Sequence, residues 1–269
     1  MNPGDVVDTY RREANFARAL RQPTPLTWGL LGIVLAVHIT FLFAEHSGLT
    51  PAGQGGLSLL FGAKINELVW EGQSWRLVSS QFLHGGFLHL AFNGYALYLI
   101  GPLLERLYGG RRFLVIYVFS GLAGSVASVF FTDGPSVGAS GAIFGMLGAL
   151  VVFGLKFRTS LPPRVARAFG AGLLPWVAIN LVIGLIPGLP IDNAAHIGGL
   201  IAGTALSVTM GSALAGKPRG IRSVALEVAF GLCILLIAVG LVFMLHQLAT
   251  CAGAGPRFFA CYPEHLLAR

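Results

Sequence analysis

Charge is what this sequence most lacks. Among 269 residues there are 18 basic and 11 acidic side chains, 11 % in all, against 55 % hydrophobic residues, and the mean hydropathy is +0.74. A soluble domain carries roughly 25 % charged residues because its surface must face water. Disorder, a coiled coil and most soluble enzymes are thereby excluded. Cysteine is nearly absent: three residues, without metal-ligand spacing. His84, His89 and His196 lack the carboxylate of the usual metalloprotease helix motif, so no metal and no cofactor are expected. The net charge is +7, yet no basic run is interleaved with aromatics, which argues against a nucleic-acid partner. No apolar segment directly follows the first basic residues and no small-residue cleavage site is present. Residues 1–24 therefore read as a short cytoplasmic segment and not as a cleaved signal. No convincing internal repeat supports a transporter.

What is abundant is glycine, 37 residues, and glycine is enriched where membrane helices pack closely. Seven apolar stretches are long enough to cross or nearly cross a ~30 Å hydrocarbon core at 1.5 Å per residue. They cover about 28–44, 87–107, 113–132, 140–156, 169–186, 194–211 and 224–248. The fold class is an all-α membrane protein. Arginines and lysines crowd the loops on one side: Arg11, Arg12, Arg18 and Arg21, then Arg106, Arg111 and Arg112, then Lys156 to Arg167, then Lys217, Arg219 and Arg222. The other side holds Lys64, Arg76, Arg257 and Arg269. By the positive-inside rule the N-terminus is cytoplasmic and the C-terminus outside.

Two segments complicate this pattern. The first outside loop, residues 45–86, is long and partly apolar, with Trp70 and Trp75 as interfacial residues; short helices partly in the outer leaflet are expected there. The fourth helix, from Ser140 to Lys156, spans only ~25 Å at 1.5 Å per residue. Its N-terminus then stops below the outer surface, and the glycine-rich residues 134–141 dip into the membrane. Irregular backbone survives there only when buried in protein or lining a wet cavity.

Polar residues inside spans are costly and become functional candidates. They are His89 and Asn93 on the second helix, Ser140 heading the fourth, and Asp192, Asn193 and His196 heading the sixth. Ser140, Phe144 and Leu147 share one helical face, and Gly141, Gly145 and Gly148 form a stripe beside it. His196 shares its face with Gly199 and Gly203. If the two stripes meet, Ser140 and His196 come within reach of each other. A serine hydroxyl needs a base, which neutral imidazole supplies, and a tetrahedral oxyanion needs donors such as His89, Asn93 and the free N–H groups opening a helix. Asp192 serves as a helix cap or, less simply, orients His196.

These residues resemble the rhomboid intramembrane serine proteases. The similarity rests on Gly138-Ala-Ser140-Gly141, on Ala195-His196 with Gly199 and Gly203, on His89-Leu-Ala-Phe-Asn93 preceded by His84, and on Trp75-Arg76. It implies a six-helix rhomboid core over residues 25–215, with residues 216–269 adding a linker, a seventh transmembrane helix and an outside tail. It further implies Ser140 as nucleophile, His196 as general base, and His89, Asn93 and the Ser140 amide as oxyanion hole. Gly138, Gly141, Phe144, Gly199, Gly203 and His84 would support the site, and Trp75 and Arg76 would anchor the first loop at the interface. Phe144 stands where the family often has tyrosine; it can stack but not hydrogen-bond. The implied partners are single-pass transmembrane substrates and the lipid bilayer, and the implied location is a bacterial inner membrane. The alternative is a catalytically inactive rhomboid-like protein that binds membrane clients. Cys233 reads as a packing residue, and a disulfide loop between Cys251 and Cys261 is expected on the oxidising side. Glu105 with Arg106 reads as an ion pair or cap.

Overall fold

In an apolar surrounding a helix satisfies its own backbone N–H and C=O groups, which strongly favours helices for so hydrophobic a chain. The computed structural model describes residues 3–46, 57–213 and 221–251. The helices, in chain order, are α1 (Pro3–Leu20), α2 (Pro25–His46), α3 (Leu57–Gly62), α4 (Asn66–Trp70), α5 (Arg76–Ser79) and α6 (Phe87–Tyr108). There follow α7 (Gly110–Phe131), α8 (Ser140–Lys156), α9 (Pro163–Phe169), α10 (Leu174–Ile183), α11 (Asn193–Thr209) and α12 (Ile221–Cys251). Among the described residues the sole strand-like feature is an isolated antiparallel bridge between Lys64 and Ser136.

Four stretches are long and apolar enough to cross a membrane: Asp8–His46, which contains α2, then Phe87–Tyr108, Gly110–Phe131 and Ser223–Cys251. The pair α9 and α10 makes a fifth only as one span bent by 42°. The continuous fifth helix expected over 169–186 is thus corrected to a broken one. Pro175, near the start of α10, has no N–H to continue a helix from before it, and Gly170 and Gly172 precede it. The helices α8 and α11 have 17 residues each, ~25 Å at 1.5 Å per residue. They are short of a full crossing and are the two that carry Ser140 and His196.

The centre of the bundle is α7, whose Phe113, Ile116, Tyr117 and Val118 are fully buried. It packs against α8, α11 and α12. At its far end Glu105 of α6 is buried, and its two oxygens accept from the N–H groups of Leu26 (3.1 Å) and Thr27 (2.8 Å) and from Thr27 Oγ1 (2.7 Å). Glu105 therefore caps the start of α2, whose first N–H groups have no intrahelical acceptor. It forms no ion pair with Arg106, whose Nε donates to the Gln22 carbonyl at 3.0 Å.

The long first loop holds α3, α4 and α5 and is pinned from within. Arg76 is fully buried. It donates to Gln73 Oε1 (2.7 Å), to the carbonyls of Ala63 (3.1 Å) and Leu60 (2.8 Å), and to Gln247 Oε1 of α12 (3.2 Å). Trp75 stacks on Phe243 of α12, ring centroids 6.0 Å apart, with the Arg76 guanidinium 4.8 Å from its ring. The pair expected to anchor the first loop at the interface ties that loop to α12, Arg76 fully buried and Trp75 half-buried. Cys233 is free and buried. Cys251 closes α12 and is buried, whereas Cys261 lies outside the described residues.

Candidate active site

The chain must turn back from the end of α7 to start α8, and the turn is held mainly by its backbone. Lys64 Nζ, from the first loop, donates to the carbonyls of Ser128 (3.3 Å), Thr132 (3.0 Å) and Gly134 (2.8 Å) and to Asn66 Oδ1 (2.8 Å). It thereby satisfies the Thr132 and Gly134 carbonyls beyond the last turn of α7 and is a second donor to Ser128, whose carbonyl also accepts from the Thr132 N–H at 2.9 Å. Asn66 Nδ2 adds bonds to the carbonyls of Val129 (3.2 Å) and Thr132 (3.0 Å). Lys64 also pairs backbone to backbone with Ser136, at 3.0 and 2.9 Å. Burial pushes the Lys64 ammonium down from its ordinary value, while Asp192, Glu67 and Asp133 pull it back up.

Two residues before Ser140, Gly138 has φ +117° and donates its N–H to the Ser80 carbonyl at 2.8 Å. A Cβ there would lie 2.7 Å from His89 Nε2 and 3.6 Å from Asn93 Nδ2. Only glycine allows both this backbone angle and the approach of α6. His89 and Asn93 thus meet the loop that delivers Ser140. His89 Nδ1 accepts from the Gly85 N–H at 3.4 Å, so a neutral His89 carries its proton on Nε2, the nitrogen facing Gly138. Asn93 Nδ2 gives one hydrogen to the His89 carbonyl at 3.0 Å and keeps a second. His84 is buried, edge-to-face with His89 at 5.1 Å. Burial, with His89 and His38 nearby, pushes the His84 imidazole down to about 3, so it stays neutral at physiological pH.

His196 stands one turn into α11. Asp192 caps that helix: Oδ1 accepts from the Ala195 N–H (3.0 Å) and from Thr132 Oγ1 (2.9 Å), and Oδ2 accepts from Ser128 Oγ. The Asp192 carboxylate is committed to α7 and to the α11 backbone and makes no bond to the His196 ring. Phe144, one turn after Ser140, lies flat on His196, with centroids 4.1 Å apart and planes at 11°. The backbones around this stack nearly touch. A Cβ on Gly199 would lie 2.0 Å from the Gly141 carbonyl oxygen, one on Gly203 2.1 Å from that of Gly145, and one on Gly124 of α7 2.6 Å from that of Ala195.

The geometry therefore gathers Ser140, Phe144, His196, His89, Asn93, Gly138, Gly141, Gly199, Gly203 and His84 at one end of α7, α8 and α11. Ser140 is half-buried and His196 buried. Among the described residues no hydrogen bond joins Ser140 Oγ to His196, a looseness common in unliganded sites. Trp75 and Arg76 lie apart, in the loop clamp to α12. Sequence reasoning missed Lys64, Asn66, Ser128 and Thr132. Lys64 was only a positive charge on the outer side; a lone lysine in an apolar loop was the available signal. Among the described residues no three His, Cys, Asp or Glu side chains are grouped to hold a metal.

A family model described as the rhomboid domain matches residues 71–213. The rhomboid protease AarA of Providencia stuartii is 35 % identical over 212 residues, 71 % of this chain and 71 % of that protein. The chain belongs to the rhomboid family. Two other rhomboid relatives are similar over part of their length. The rhomboid protease GluP of Bacillus subtilis is 39 % identical over 226 residues, 82 % of this chain but 41 % of that protein. RHOMBOID-like protein 5 of Arabidopsis thaliana is 42 % identical over 146 residues, 53 % of this chain and 46 % of that protein. The chain thus spans less than half the length of these last two. As a rhomboid-family member with several long apolar helices, it is an integral membrane protein.

Proposed function

We propose that this rhomboid is an intramembrane serine endopeptidase that hydrolyses peptide bonds in the transmembrane segments of single-pass membrane proteins. The observation that carries the reading is the flat stack of Phe144 on His196, one helical turn from Ser140. It fixes an imidazole beside a serine that opens a helix, while His89 Nε2 and Asn93 Nδ2 face the same loop. Two of the relatives described above are named rhomboid proteases.

In this mechanism His196 accepts the Ser140 proton as Oγ attacks the scissile carbonyl. The oxyanion takes hydrogen bonds from the Ser140 N–H, His89 Nε2 and Asn93 Nδ2, and the positive end of α8 adds to its stabilisation. On collapse His196 passes the proton to the leaving amine, and an acyl ester remains on Ser140. Water then attacks that ester, with His196 again the base, and releases the carboxylate product. The excess of arginines on one side supports a plasma-membrane orientation with the N-terminus cytoplasmic and the site opening outward.

The test is cleavage of a model single-pass substrate in proteoliposomes, together with labelling by a fluorophosphonate probe. Ser140→Ala and His196→Ala should each lose at least ~10³-fold of the rate, in line with removal of a triad member, and Ser140→Ala should lose labelling. Full activity in either variant would refute the dyad. A folded wild-type protein that neither cleaves nor labels would favour the client-binding alternative.

A further inference from the structure

The opposite end of α7 is 22 residues away, ~33 Å at 1.5 Å per residue, and carries a different chemistry. A cavity of about 760 Å³ lies there, between the end of α1, the start of α2, the α6–α7 turn and α12. Arg18, Arg106 and Arg111 line it. The Arg18 side chain is exposed and has no hydrogen-bond or ion-pair partner among the described residues. Arg106 uses only Nε, on the Gln22 carbonyl, which leaves its terminal nitrogens available. Arg111 pairs with Glu227 at 2.8 Å, with both side chains more than half exposed. Such a surface pair contributes ~0–1 kcal/mol and yields readily to a stronger anion.

Glu105 is the one acidic residue in the lining, and both its oxygens are bound to the start of α2. The charge left to meet a ligand is positive. The cavity floor adds the Gly109–Gly110 turn, with Gly109 at φ +83°. The N–H groups of Gly110, Arg111 and Arg112 come before Phe113, the first residue to bond back, to the Gly109 carbonyl. One wall is apolar, with Leu26 of α2 and Phe230 of α12, and the Arg111 guanidinium lies 5.9 Å from the Phe230 ring. Arginine forks match phosphate oxygens in pairs. A polar mouth with an apolar wall, at the arginine-rich end of a membrane bundle, fits a headgroup whose chains continue into the bilayer.

We infer that this cavity binds a phosphate-bearing anionic headgroup. The assignment is independent of proteolysis, so it is tested on full-length Ser140→Ala protein in a neutral detergent. Short-chain phosphatidylglycerol, short-chain phosphatidylcholine and inorganic phosphate are titrated separately, with direct binding and the unfolding midpoint as readouts. Phosphatidylglycerol should bind at least ~10-fold tighter than phosphatidylcholine and raise the midpoint. An Arg18→Gln/Arg111→Gln variant should weaken that binding at least ~10-fold. Both replaced side chains are exposed, so the ligand-free midpoint should stay within the scatter of repeat scans. If inorganic phosphate binds and competes, a soluble phosphate is the occupant; if it does not while phosphatidylglycerol does, the occupant is lipid. Equal binding of the two lipids, or equal binding by the double variant, overturns the inference.

Discussion

The two flanks of α8 are built differently. Towards α7 and α11 the approach is mostly backbone to backbone: Gly124, Gly199 and Gly203 leave no room for an added methyl group against neighbouring carbonyls, Gly145 leaves none against Ser120, and a Cβ on Gly141 would stand 3.3 Å from the Ala195 carbonyl oxygen. Towards α10 the packing is thin. Val177 is the one buried residue of that helix and meets Phe144 and Leu147, while Trp176, Ile179 and Val182 are exposed. One further tie, from Asn193 Nδ2 to the Leu181 carbonyl at 3.0 Å, holds the end of α10 to the head of α11. In lipid an exposed apolar face carries little penalty, so association depends on close packing rather than on hydrophobic burial. The catalytic pair of the proposed mechanism stands on the side with that packing. On the other side α10 covers α8 through few buried contacts.

This contrast ranks the effects of substitution. Gly199→Val should be the most damaging, because the new Cβ would meet the Gly141 carbonyl and backbone cannot swing aside. A loss of about 3 kcal/mol or more, the upper end of overpacking costs, is expected, with cleavage abolished; thermal unfolding and the substrate assay read both, and a stable, active variant would break the comparison. Lys64→Met removes the donor shared by three carbonyls and Asn66 and should cost on the order of 2–3 kcal/mol, seen as a lower unfolding midpoint, with Lys64→Arg recovering part of it. Phe144→Leu forfeits ring stacking worth ~0.5–1.5 kcal/mol. It should lower kcat up to about tenfold with KM little changed, whereas Phe144→Tyr should retain the rate. On the loose flank, Trp176→Ala should alter stability by no more than ~0.5 kcal/mol, as expected for exposed positions. A larger change would mean that α10 is held more firmly than its exposure suggests.

How far the sequence was readable follows the same division. Helix period and glycine spacing are local, so the stripes on α8 and α11, the polar residues at their heads and the short length of α8 could be read directly. The break between α9 and α10 was also encoded, in Pro175, but the apolar run around it hid the signal. The central place of α7 was not visible, since a helix that is apolar all round looks alike at the centre of a bundle and at its lipid-facing edge. Arg76 and Lys64 were misread for a related reason. Lys64 read only as a positive charge of the outside loop and Arg76 as an anchor at the membrane interface, and only the fold reveals the buried carbonyls that each one satisfies. Nothing in their neighbouring residues announces partners as far along the chain as Gln247 or Thr132.

The clamp on the loop before Ser140 has a consequence for how this chain can drift in sequence. Lys64 grips carbonyl oxygens of Thr132 and Gly134, and the Ser136 and Gly138 N–H groups bond the carbonyls of Lys64 and Ser80. These are backbone groups, present whatever side chain stands at 132, 134 or 136, proline at 136 excepted, while 138 itself admits only glycine. The exposed positions 133 and 135 are therefore free to vary, while the number of residues between Thr132 and Ser140 is not. An insertion or deletion of one residue just after Thr132 would shift the Gly134 carbonyl and the Ser136 and Gly138 N–H groups off their partners together. Related chains that keep the lysine should differ in the spelling of this loop and agree in its length.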